Sequence, residues 1–136
     1  MIKHTFFLAV IVLLSACGSK KTEVVVKEDL SKPIEFTALF NSGMEEGVNC
    51  YRIPAIVTAP NGDLIAAIDQ RIPNCGDLKF SKDINLIVRR SADNGKTWTG
   101  IEKVVDFPYG ESASDPSMIV DEITGDIFMF YNYMNL

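Results

Sequence analysis

The chain has 136 residues, enough for one ordinary domain, with 47% hydrophobic and 23% charged residues and a formal net charge of -5. That balance belongs to a globular protein, and its sign argues against a polyanionic partner such as nucleic acid. No basic run exceeds two residues, Lys20-Lys21 and Arg89-Arg90.

The first residues follow the grammar of an export signal. Lys3 and His4 form a polar start, and Phe6 to Leu14 is a nine-residue apolar stretch, too short to span a bilayer, which needs about 20 residues. It runs into Leu14-Ser15-Ala16-Cys17, which resembles the lipobox of bacterial lipoproteins. The resemblance implies a signal over residues 1–16, cleavage before Cys17 and lipidation of its thiol. The protein is then expected to be exported and lipid-anchored to a bacterial membrane, with the outer membrane as the expected site, facing periplasm or cell surface. Residues 17–33 are mostly polar and charged and close on Pro33, which suits a tether.

With Cys17 taken by lipid, Cys50 and Cys75 remain. In an oxidising compartment a disulfide between them and a pair of free buried thiols are both compatible with the sequence. Their spacing is unlike a zinc site and the sole histidine, His4, lies in the leader, so no metal and no cofactor is expected.

Residues 34–136 read as all β: short apolar runs separated by Gly, Asn, Asp and Pro, without sustained helical periodicity. Arg52 to Thr58 and Asp63 to Asp69 flank Pro60-Asn61-Gly62, which predicts an antiparallel hairpin because Asn and Gly tolerate positive φ. Ile84 to Arg90 and Thr97 to Val104 flank Asp93-Asn94-Gly95 and predict a second. The pattern then restarts. Asp115-Pro116 through Thr124-Gly125-Asp126 echoes Ile53-Pro54 through Asn61-Gly62-Asp63, offset by 62 residues at the Pro and 63 at the Gly-Asp. A four-stranded unit repeated at that interval is the signature of a β-propeller.

Ser91-Ala92-Asp93-Asn94-Gly95-Lys96-Thr97-Trp98 reads Ser-x-Asp-x-Gly-x-Thr-Trp. In physical terms it is a self-satisfying turn: Asp93 accepts backbone N–H groups, Gly95 supplies positive φ and Trp98 packs beneath. It resembles the Asp box of the sialidase (neuraminidase) family, where the box joins the third and fourth strands of a blade. Tyr51-Arg52-Ile53-Pro54 is similar to the Phe/Tyr-Arg-Ile-Pro motif that opens the first blade in that family. The resemblance runs from about Phe40 to the last residue. It implies a six-bladed propeller of which the first blade and part of the second are present, and an exo-α-sialidase activity acting on terminal sialic acids of glycoproteins, glycolipids and oligosaccharides.

The same resemblance implies roles. Arg52 would grip the sugar carboxylate, since a planar guanidinium binds carboxylates bidentately. Arg71 would line the pocket beside the carboxylate and sugar hydroxyls, with pairing to Asp69 as its structural alternative. Asp77, on the loop after the second strand, would be the catalytic acid, with a pKa raised by burial or negative neighbours. Asp83 is a competitor better read as structural. Asp115 would accept hydrogen bonds from the sugar ring, or else serve as a turn residue before Pro116. The family's tyrosine nucleophile, its glutamate partner and two further arginines are expected beyond Leu136, and the 136 residues alone are expected to be unstable and inactive. A non-catalytic Asp-box propeller that binds glycans or a protein at the cell surface is the competing reading.

Overall fold

A computed structural model describes residues 36–135; the signal over 1–16, Cys17 and the tether over 17–33 lie outside the described residues. Among the described residues there are six strands and no helix. The first hairpin joins β1 (Cys50–Thr58) to β2 (Leu64–Arg71), in antiparallel register from Cys50↔Arg71 to Thr58↔Leu64. Its turn closes through Ala59 N–H to Asp63 O at 2.8 Å, with Gly62 at φ 88°, a conformation that costs glycine little. β3 (Ile84–Ser91) pairs with β2 along its whole length, and β4 (Glu102–Val105) pairs with β3. These strands form one antiparallel four-stranded blade.

The fourth strand is shorter than the sequence pattern suggested. Residues 97–101 are drawn into the turn instead: Thr97 N–H and Oγ1 donate to the Asp93 carboxylate at 2.8 and 2.6 Å, and Trp98 Nε1 donates to Gly95 O at 3.1 Å. Local hydrogen bonds here compete with the sheet ladder and win. Asn94 and Gly95 take φ of 59° and 85°, and Ser91 Oγ donates to Asp93 Oδ1 at 2.8 Å while accepting from Gly95 N–H at 2.8 Å.

A third hairpin, β5 (Glu111–Val120) with β6 (Ile127–Asn135), repeats the first down to its irregularity. Between Arg52↔Asp69 and Ala55↔Ala67, β1 holds one more residue than its partner. Between Ser114↔Asn132 and Ser117↔Phe130, β5 does the same. In each case the residue before the proline stands at positive φ, Ile53 at 57° and Asp115 at 61°; the extra residue bends the strand. β5 also touches the blade by a parallel bridge, Ser112 to Ile84.

The core lies on the two central strands of the blade. Ala66, Ala67 and Ile68 of β2 and Ile84, Leu86 and Ile87 of β3 are buried. Burial on β2 is continuous from Ala66 through Arg71, as expected for a strand covered on both faces. Its last three residues, Asp69, Gln70 and Arg71, are polar and still buried, which is costly unless each is paired.

Candidate active site

The polar end of β2 organises the candidate site. Side chains alternate along a strand, so Asp69 and Arg71 share one face and Gln70 takes the other. Because Arg52 stands opposite Asp69 and Cys50 opposite Arg71, those two β1 residues join the Asp69 face. On the opposite face Gln70 Nε2 and Tyr51 OH both donate to Glu45 Oε2, at 2.5 and 2.9 Å. Burial and then Glu45 push the Tyr51 phenol up to about 12.

The loop after β2 folds back onto this face. Cys75 is joined to Cys50 by a disulfide, with Cα atoms 5.7 Å apart, an ordinary span for such a bridge. Arg52 NH1 donates to Cys75 O at 3.1 Å, and Arg71 NH1 donates to Gly76 O at 2.6 Å and to Asp77 Oδ1 at 2.8 Å. Gly76 is required here by space: a Cβ would lie 2.7 Å from Asn74 Oδ1 and 2.9 Å from Phe80 Cβ. Beyond it the loop turns back, with Phe80 and Ser81 N–H donating to Asp77 O.

β5 supplies the other side. Asp69 Oδ2 accepts from Arg71 NH2 at 2.7 Å and from Ser114 Oγ at 2.6 Å, and its Oδ1 accepts from the Asp115 N–H at 2.9 Å. The Asp115 carboxylate accepts from Asn132 Nδ2 at 2.8 Å. Arg52, Arg71, Asp77 and Asp115 are thus brought to one region. Asp83 stands apart from it, accepting from Asn85 Nδ2 at 3.1 Å.

Two expectations are corrected by this geometry. Asp77 was expected to have a raised pKa; its side chain is 66% exposed, and the hydrogen bond and charge of Arg71, with a smaller contribution from Arg52, hold its carboxyl below the usual aspartate value. Arg71 was expected to line the pocket, with pairing to Asp69 as the alternative, and the pairing is what is found: its side chain is wholly buried, and both terminal nitrogens are engaged by protein groups, while Nε is buried without a partner. Burial disfavours the Arg71 cation, but its hydrogen bonds to Asp69 and Asp77 outweigh that and raise its pKa. Arg52, in contrast, is exposed.

The sequence reading named Asp69 only as an alternative partner of Arg71 and missed Ser114 and Asn132 as members of the cluster. Asp69 was signalled by its two-residue spacing from Arg71, and Ser114 by occupying in the repeat the place of Arg52. Burial pushes the Asp69 carboxyl up, against the pull of its Ser114, Arg71 and Asp115 donors. Among the described residues no group of three His, Cys, Asp or Glu is placed to hold a metal ion.

No protein-family model matches the chain. The sialidase of Micromonospora viridifaciens is 42% identical over 92 residues, 65% of this chain and 14% of that protein. Among solved structures, the NanB sialidase of Streptococcus pneumoniae matches with a TM-score of 0.65 and 26% identity, over 76% of this chain and 19% of its own. The leech intramolecular trans-sialidase complexed with 2,7-anhydro-Neu5Ac matches with a TM-score of 0.66 and 25% identity, over 75% of this chain and 18% of its own. The all-β fold described above matches part of the β-propeller of sialidases. The chain spans less than a fifth of the length of these three proteins.

Proposed function

We propose that the chain belongs to a member of the sialidase family, an exo-α-sialidase that hydrolyses terminal α-linked sialic acids from glycoconjugates with retention of configuration. What carries this reading is the convergence of an exposed Arg52 and an exposed Asp77 on one loop: Arg52 NH1 holds Cys75 O, two residues before Asp77, and the Arg52 charge is felt by the Asp77 carboxyl.

The chemistry follows from the charges. A sialoside carries a carboxylate on its anomeric carbon, and the Arg52 guanidinium offers it a permanent bidentate partner. The substrate carboxylate offsets the pull of Arg52 on Asp77, which favours the protonated form of Asp77. The larger hold of Arg71 on Asp77 remains, so substrate relieves the smaller part of the depression. Asp77 then gives its proton to the glycosidic oxygen as the bond to the anomeric carbon breaks, the family's tyrosine taking up that carbon. Water then attacks the same carbon and displaces the tyrosine, and deprotonated Asp77 accepts the proton that the water gives up. Asp115 accepts hydrogen bonds from the sugar ring, and Arg71 acts from beneath. Turnover is proposed for the whole pocket, with residues 1–136 alone inactive.

The test is release of a fluorescent aglycon from an aryl α-sialoside by the full-length protein. Arg52→Ala should lower kcat/KM by about 10- to 100-fold, the range for losing a hydrogen bond to a charged group. Binding of sialosides without release by the unaltered protein would leave only the glycan-binding propeller. Likeness to the leech enzyme makes 2,7-anhydro-sialic acid a second product to look for, which mass spectrometry separates from the free sugar.

We propose further that Cys17 carries a lipid, on the strength of Leu14-Ser15-Ala16-Cys17 after the apolar stretch. Cys17→Ala should move the protein from the membrane to the soluble fraction, and an unchanged distribution would remove the proposal.

A further inference from the structure

The carboxylate of Asp69 sits at the centre of the cluster yet has no exposed side-chain surface. It cannot touch a sugar, and its three partners come from two parts of the site, Arg71 on its own strand and the neighbouring Ser114 and Asp115 on β5. Arg71 NH2, at 2.7 Å, belongs to the cation that holds Asp77. Ser114 Oγ, at 2.6 Å, lies on the next hairpin. The Asp115 N–H, at 2.9 Å, belongs to a residue held at φ 61°, a conformation in which non-glycine residues are strained and persist only when their surroundings fix them.

The guanidinium of Arg71 is planar and rigid, so fixing one of its nitrogens on Asp69 fixes the direction in which the other offers itself to Asp77. The same carboxylate fixes the backbone of Asp115 through its other oxygen. We infer that Asp69 is the positioning residue of the site, a buried acceptor that couples the Asp77 loop to the Asp115 bulge and presents the two as one unit. This inference rests on the sialidase reading for its catalytic consequence, though not for the coupling itself.

Asp69→Asn keeps the volume but turns one acceptor oxygen into a donor that faces donors already in place. Two measurements on the full-length protein test it. The first compares a sialoside with a poor leaving group, such as sialyllactose, against an activated aryl sialoside. Only the poor leaving group needs a well-placed proton donor, so Asp69→Asn should lower its kcat/KM by about 100-fold and that of the aryl substrate by less than about tenfold. A loss of folded protein would lower both equally. The second measurement is amide exchange at Asp115, which should quicken about tenfold in the variant while the amides of Leu86 and Ile87 keep their rates.

Ser114→Ala removes one donor without disturbing charge and should show the same pattern more weakly, which keeps the test open if Asp69→Asn does not fold. Equal losses on both substrates with unchanged Asp115 exchange would overturn the inference. Quickened Asp115 exchange in a protein that never cleaves sialosides would keep the coupling and remove the catalytic reading.

Discussion

Arg71 and Asp77 are bonded at 2.8 Å across the boundary between interior and solvent, the guanidinium wholly buried and the carboxyl mostly exposed. Their pairing lowers the Asp77 pKa, so its stabilising contribution is present above the ordinary aspartate value and fades as pH falls through Asp77's own, lower value. A carbon-13 titration of Asp77 should place it below the ordinary aspartate value; a value above it would contradict the pairing.

Arg71 also neutralises Asp69, and both side chains are fully buried. Arg71→Met leaves an unpaired buried carboxylate and should cost about 3–5 kcal/mol. Denaturant unfolding measures it, and a loss under about 1 kcal/mol would show that Asp69 is not ionised in the native protein.

In the turn after β3, hydrogen bonds from Thr97 and Ser91 hold the Asp93 pKa down to about 2. The folded value lies below the unfolded one, so the turn adds stability above about pH 4 that is lost as pH falls toward 2. Asp93→Asn should therefore lower the melting temperature near neutral pH and flatten its decline between pH 4 and 2. Parallel curves for the two proteins would contradict the assignment.

The Cys50–Cys75 disulfide closes a loop across a separation of 25 residues. Restricting the unfolded chain by a loop of that size is worth about 3 kcal/mol. Unfolding with and without reductant should differ by about that amount, with the Cys50→Ser/Cys75→Ser double variant insensitive to reductant.

Leu86 has no exposed surface and Ile119 is 57% exposed. Leu86→Ala should cost about 2–5 kcal/mol and Ile119→Ala within about 0.5 kcal/mol. Comparable losses at the two positions would mean that β5 packs more deeply than its exposure indicates.

The turns were legible in the sequence because their chemistry is local. Gly62 and Gly95 sit at positive φ, where few other residues are comfortable, and their neighbours bond within a few residues. The repeat was legible through its prolines and glycines. The limits of β4 were not, because the Asp93 turn takes backbone that apolar spacing alone assigns to a strand. Arg52, Arg71, Asp77 and Asp115 could be named from the resemblance. Which arginine faces solvent could not, since that depends on the loop bringing Gly76 O and Asp77 over Arg71. The cysteine pairing likewise depends on Cys50 lying opposite Arg71 in register, a relation that spacing in sequence does not encode.

The doubled kink before Pro54 and Pro116 carries isoleucine in one copy and aspartate in the other. The bend is set by backbone stereochemistry and the inserted residue, so the mount it creates accepts different side chains. The two copies thus present an apolar side chain and a carboxylate from the same backbone bend.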